Sequence, residues 1–224
     1  MINFYENKKV KKYLKVVKNP SFDATQIELR SRLLCVGGTG TGKTNFLVNF
    51  IAASPMTFGR VIIVSKLIEE ALYQFLKDEL KGSIVFYSLE QLPSLNEYTE
   101  SQKGEEMETL IVFDDLVNDL KKDSKVKDYF IAGRKCYLTM MFLSQSYFKV
   151  EKVIRGQLNY LIMLKVSSGK DLKIILSDYS LGITPDELVE IHTEATKEPL
   201  SFLKIDINTP NPDKKFSQGF KDFF

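Results

Sequence analysis

The segment Leu33–Phe46, LLCVGGTGTGKTNF, holds four glycines, three threonines and one lysine between apolar flanks. Gly37, the four residues Gly38, Thr39, Gly40 and Thr41, and then Gly42-Lys43-Thr44 make a complete P-loop pattern. Glycines without side chains let backbone N–H groups turn inward around phosphate oxygens. A helix beginning at Lys43 adds unpaired N–H groups and the positive end of its dipole. Lys43 is placed to reach the β- and γ-phosphates, and the Thr44 hydroxyl to hold Mg²⁺. ATP and Mg²⁺ are therefore the expected ligands.

The run LIVFDDL supplies acidic partners downstream. Asp114 ends an apolar run, where a lone carboxylate is costly unless it faces a cation, so it is the expected Mg²⁺ partner of Thr44. Asp115 is read either as the base that polarises the attacking water or as a supporting carboxylate or helix cap. Gln145, in FLSQS, stands at the carboxyl end of a strand, the side on which open α/β sheets bind ligands. It is read as a γ-phosphate sensor or as a strand-end cap. Arg134 and Arg155 each lie beside a glycine near a helix end. Either is a candidate finger reaching a neighbour's γ-phosphate, or a local dipole contact or ion pair.

Positioning these groups requires an alternation of elements. Strands are expected at 32–36, 60–64, 83–87, 109–116, 137–146, 160–166 and 200–207, with helices between them. Residues 89–108 are read as a short helix and an exposed loop. Thr184-Pro185 with Glu187 marks a strong helix start. The fold class is α/β, with a mostly parallel central sheet flanked by helices. The expected organisation is a basic arm at 1–29, an ATPase domain at 30–207 and an aromatic, basic tail at 208–224, read as a frayed terminus or a strand packed on its own core, or else as a docking peptide.

The chain has 224 residues, 44% hydrophobic and 27% charged, enough for one good core. A net charge of +2 makes bulk polyanion binding unlikely to be the source of any nucleic-acid contact, so local basic clusters must provide it. The lysines of DLKKDSKVKDY are candidates. Cys35 and Cys136 read as small apolar residues of a reducing compartment. No apolar run reaches transmembrane length and no signal-peptide core opens the sequence, so a protein that is not secreted is expected.

Taken in order, VGGTGTGKTNFL, LIVFDDL and GRKCYLTMMFLSQSYFKVEKVIRGQLNYLIMLK resemble the DNA-packaging ATPases of the FtsK–HerA superfamily, in particular the poxvirus-type branch with its small virophage-like members. The resemblance covers roughly residues 30–166. It implies a P-loop NTPase of the additional-strand, RecA-like type, in which a sensor strand lies between the P-loop strand and the Mg²⁺-aspartate strand. It implies an ATP-driven double-stranded DNA translocase that packages a genome into a preformed capsid. It also implies a homo-oligomeric ring, a hexamer, with capsid or portal-vertex partners, in host cytoplasm, a viral factory or the virion. Arg134 and Arg155 fall where the family tends to keep arginine; Lys135 stands where many relatives have histidine. A helicase or conjugation-type translocase shares the core motifs. A non-catalytic nucleotide-gated scaffold is the alternative of another class. A GTPase would want an Asn-Lys-x-Asp motif, which is absent from LSQS and MLKVSS.

Overall fold

The computed structural model describes residues 18–119, 124–166 and 169–224. The lysines of the expected basic arm before Lys18, together with Lys121 and Lys122, lie outside these residues. Nine strands form one sheet: β1 (Arg32–Val36), β2 (Arg60–Val64), β3 (Ile84–Tyr87), β4 (Thr109–Asp114), β5 (Leu138–Ser144), β6 (Tyr160–Met163), β7 (Leu203–Asp206), β8 (Phe216–Gln218) and β9 (Asp222–Phe223). Their order is β3-β2-β4-β5-β1-β6-β7-β8-β9. The pairs from β3 through β6 are parallel, and β7, β8 and β9 are added antiparallel. The helices are α1 (Phe22–Thr25), α2 (Lys43–Ala52), α3 (Ala71–Leu80), α4 (Leu95–Ser101), α5 (Lys125–Ala132), α6 (Lys152–Arg155), α7 (Gly169–Asp178) and α8 (Pro185–Ala195).

The central strands are apolar along their whole length because helices cover both sheet faces. Alternate side chains go to opposite layers. Leu33, Cys35, Val112, Met141 and Leu143 pack with Phe46, Leu47 and Phe50 of α2 and Tyr73 and Leu76 of α3. Leu34, Val36, Phe113, Met140 and Phe142 pack on the other face with α4, α5, α7 and α8. Every residue of β5 is buried. Cys35 is buried among these layers, and Cys136 is half-buried near Thr99.

Local signals explain the helix starts. The α8 capping box forms as the sequence predicts, with the Thr184 side chain accepting from the Glu187 N–H and Glu187 answering to the Thr184 N–H. A second box, Ser94 with Glu97, starts α4 inside the region read only as a short helix and loop. Its Ser-x-x-Glu spacing was visible in SLNE.

Both expected appendages pack onto the domain where they are described. Ile27 and Leu29 are buried, and the Asn19 amide donates to the Ile27 carbonyl at 2.6 Å. Residues 208–224, read as a tail, carry β8 and β9 and continue the sheet past β7. Phe220 packs against Phe46, Phe50 and Phe202, with ring centroids 5.9, 6.3 and 5.2 Å away. The docking-peptide alternative for this segment therefore meets a chain end that is largely occupied by its own core. Truncation after Asn208 removes buried Phe216 and half-buried Phe220. At ~1.5–3 kcal/mol per apolar ring lost, it should destabilise the domain by about 4 kcal/mol and lower Tm by roughly 10 °C in a thermal melt. An unchanged Tm would mean that β8 and β9 are dispensable decoration.

Candidate active site

The P-loop follows β1 and ends at α2. Gly42 caps that helix with φ of 100°, a value that favours glycine. Gly37 is needed for a different reason: a Cβ there would stand 2.4 Å from Thr41 Oγ1 and 2.8 Å from Leu164 Cβ. The loop is thus drawn tight against the end of β6. Lys43 Nζ donates to the carbonyl oxygens of Gly37 and Gly38 at 3.0 and 3.1 Å, lying across the loop it serves.

Strand order brings the other groups to the same edge. β5 lies between β1 and β4, with Val36 opposite Ser144 and Asp114 opposite Leu143. The Gly37 N–H donates to Ser144 O and the Asp115 N–H to Leu143 O, each at 3.1 Å. P-loop, Asp114–Asp115 and Gln145 are consequently neighbours at adjacent strand tips.

Asp114 is half-buried and has neutral donors only. Tyr73 donates its hydroxyl to Asp114 Oδ2 at 2.7 Å, and Ser65 does so at 3.4 Å. Burial raises its pKa above the usual carboxylate range, and the nearby Glu70 and Asp115 charges add to this. Tyr73 is itself buried and its pKa is raised, first by desolvation and then by Asp114; its hydroxyl also bonds Thr44. Thr44 and Asp114 thus share one phenol as neighbour. A carboxylate short of positive charge beside a hydroxyl is a donor set suited to a hard divalent cation that also takes phosphate oxygens. Among the described residues no group of three or more His, Cys, Asp or Glu side chains is arranged to hold a metal by itself.

Asp115 and Gln145 are linked. Gln145 Nε2 donates to Asp115 Oδ2 at 2.9 Å, and its Oε1 accepts from Thr39 Oγ1 at 3.3 Å. Asp115 sits at φ of 50°, the left-handed region that aspartate tolerates but that is uncommon outside glycine. Both side chains are exposed, so the amide bridges loop and carboxylate where a reacting water has access.

The family model described as Poxvirus A32 protein matches residues 21–197. The chain belongs to the Poxvirus A32 protein family. Among solved structures, this A32-family chain is similar to B204, the DNA-packaging ATPase from Sulfolobus Turreted Icosahedral Virus, with TM-score 0.60, 14% identity, and 88% of this chain and 100% of that one covered. B204 from Sulfolobus turreted icosahedral virus 2 in complex with ATP-gammaS gives 0.57 at 14% identity, covering 87% and 98%. The pCW3 conjugation coupling protein TcpA, in its monomer form with ATPgS, gives 0.56 at 15%, covering 88% and 62%. At such identities the likeness is one of fold, and the fold is that of a P-loop NTPase with the sensor strand inserted between P-loop and aspartate strands. No curated protein matches the A32-family chain in sequence.

The two arginines part company in the A32-family structure. Arg155 is 9% exposed, with its guanidinium against Asp178 and 4.8 Å from the Tyr147 ring centroid. It is held inside its own chain, which corrects its reading as a finger. Arg134 is exposed, in the 3-10 turn Gly133–Cys136 before β5. That is the amino end of β5, so within one chain it lies the length of the strand, roughly 20 Å, from the P-loop edge. It makes no hydrogen bond or ion pair among the described residues, and its charge acts repulsively on Arg32.

Several site residues were not singled out from sequence. Tyr73 and Ser65 are ordinary-looking members of a helix and a loop. Asp171, 3% exposed, accepts from the N–H groups of Tyr147 and Phe148 at 3.1 and 3.0 Å and from Ser146 Oγ at 3.2 Å, which fixes the turn after the sensor strand. Of the lysines proposed to meet DNA, Lys125 Nζ donates to the carbonyls of Leu89 and Leu92, and Lys127 pairs with Glu151 at 3.1 Å. These two are engaged internally.

The raised Asp114 pKa has a definite sign. The folded protein holds this proton more tightly than the unfolded chain, so stability from this group is present at acid pH and is lost as pH rises through the folded pKa. Asp114→Asn keeps an acceptor for Tyr73 without the charge. In nucleotide-free, metal-free buffer it should melt higher than wild type at pH 7 and converge with it at pH 4. A lower Tm at pH 7 would show that the carboxylate is already compensated.

Proposed function

We propose that this chain is an ATPase that drives double-stranded DNA into a preformed viral capsid as one subunit of a ring, hexameric by resemblance to its superfamily. The observation that carries the reading is the convergence of Lys43, Thr44, Asp114, Asp115 and Gln145 at the tips of β1, β4 and β5. A P-loop alone suits any phosphate ligand, whereas this set can also manage a water.

In this reading Gly37 to Gly42 cradle the phosphates with backbone N–H groups, and Lys43 leaves the Gly37 and Gly38 carbonyls for the β- and γ-phosphates. Thr44 and Asp114 hold Mg²⁺, which neutralises charge on the transferring phosphate. Asp115 accepts the proton of the attacking water, oriented by the Gln145 amide. Gln145 also touches Thr39, so loss of the γ-phosphate is felt by both the loop and the sensor turn. Asp171 couples that turn to α7, giving the site a lever on its surroundings.

A trans arginine completes the site. Arg134 is exposed at the far end of β5 and unpaired among the described residues, so a head-to-tail, heterologous ring contact would set one protomer's Arg134 edge against the next protomer's P-loop edge. DNA contact is assigned to the segment after the sensor turn, where Lys149 and Lys152 are exposed beside the half-exposed Phe148. Such contacts go to phosphates, as indifference to sequence requires. The capsid vertex is the partner, and the host cytoplasm or viral factory the place of action.

Hydrolysis of ATP and GTP should be measured with and without linear double-stranded DNA. Wild type should prefer ATP and be stimulated by duplex. Lys43→Ala should lose turnover by about 10³-fold or more. Stimulation by single strands alone would favour the helicase reading, and nucleotide binding without turnover the scaffold. Mixing Lys43→Ala with Arg134→Ala protein should recover part of the activity that each lacks, because each supplies the group the other is missing. No recovery would remove Arg134 from the site. The double change Lys149→Glu, Lys152→Glu should abolish DNA stimulation and leave DNA-free turnover; persistent stimulation would place the DNA elsewhere.

A further inference from the structure

The phosphate end of a nucleotide on this loop is fixed by Asp114, Asp115 and Gln145, all on the β4–β5 side of β1. The nucleoside must then project to the opposite side, over β6 and β7. β7 runs antiparallel to β6, so its first residue, Leu203, stands opposite Met163 at the P-loop end of the sheet. The connection from α8 to β7 crosses there. With Gly40, Thr41 and Lys165 it walls a cleft of about 330 Å³, and Pro199 and Leu200 form part of its lining.

Leu200 violates two expectations at once. It is 56% exposed, and its backbone has φ of 64°, a conformation that a leucine rarely adopts. Its side chain overhangs the P-loop, since a Cβ on Gly42 would meet Leu200 Cδ2 at 2.5 Å. The connection that carries it is anchored on both sides. Thr196 Oγ1 donates to His192 O at 2.7 Å, His192 Nε2 meets Leu164 O at 3.0 Å, and the Phe202 ring packs edge-on against Phe46 of α2 at 5.0 Å. A strained, largely solvent-facing leucine is thereby held at the lip of the phosphate loop, over Gly42.

We propose that Leu200, backed by Pro199, is the base-binding wall: the purine ring of the bound ATP lies against this side chain. The proposal rests on the ATP reading of the P-loop given above. It assigns to Gly42 a second role, because only a residue without Cβ leaves room for the leucine over the loop. It also makes the α8–β7 connection, outside the phosphate-binding motifs, the part of the chain that distinguishes a nucleotide from its bare triphosphate.

The test uses the full chain and titration calorimetry with ATP and with inorganic tripolyphosphate, alongside a thermal melt. In Leu200→Gly the ATP Kd should rise about tenfold, while the tripolyphosphate Kd stays within about twofold. Tm should not fall, because glycine suits the positive φ and the leucine is largely exposed. Unchanged ATP affinity overturns the proposal. So does equal weakening of both ligands, which would mean that Leu200 merely braces the loop. Lys43→Ala should weaken both ligands. If wild type binds neither, the ATP reading itself has failed, and the base wall falls with it.

Discussion

Two backbone hydrogen bonds at the tips of three strands set the geometry on which everything else depends. Gly37 N–H to Ser144 O and Asp115 N–H to Leu143 O tie the P-loop and the aspartate pair to the same strand, β5. With β5 inserted, β1 and β4 are about two strand spacings apart, roughly 10 Å. That gap is about what a triphosphate, a cation and a water need to occupy. The complete burial of β5 makes this arrangement stiff. Its seven residues contribute to both apolar layers, so a shift in register would expose core residues on both faces.

Polar groups in the A32-family chain divide into those the fold uses up and those it leaves available. Arg155, Lys125 and Lys127 are near the site in sequence, yet each is taken by an internal acceptor: Asp178, the carbonyls of Leu89 and Leu92, and Glu151. A buried guanidinium without its carboxylate would be strongly destabilising, so such a pair is not readily released for duty elsewhere. Arg134 is different: it is exposed, and it makes no hydrogen bond or ion pair among the described residues.

Much of this was legible in the sequence, for identifiable reasons. β1, β2 and the P-loop were readable residue by residue, because strands buried on both faces are continuous apolar runs and the loop has fixed spacing. Asp114, Asp115 and Gln145 were readable because polar residues at the ends of such runs are conspicuous. The sheet order followed from resemblance rather than from pattern, since nothing local in LTMMFLS says between which strands it lies. Tyr73, Ser65 and Asp171 were not legible. A tyrosine at helical spacing looks like core, and its bond to Asp114 spans 41 residues. The tail's sequence left a frayed end, a strand packed on its own core and a docking peptide all open, for a related reason. Short strands separated by prolines and lysines look like a loose end until a partner strand, β7, is present to pair with them.

Several departures from local preference lie at the P-loop edge of the sheet. Asp114 is a carboxylate without a cation among its own side chains, Asp115 and Leu200 hold left-handed backbone conformations, and Leu200 faces solvent. Left-handed non-glycine residues also occur away from it, at Gln26, Arg30, Met56, Lys81 and Tyr137, while the capping boxes at Ser94 and Thr184 and a core sorted between two faces follow ordinary rules. Proteins sustain such local costs when the remainder over-determines the fold, and the costs persist where a ligand relieves them. A divalent cation would offset the charge on Asp114, and a base would cover Leu200. The two costs flank the P-loop on opposite sides. A ligand that relieves both costs can thereby stabilise the elements that carry them, β4 and the α8–β7 connection.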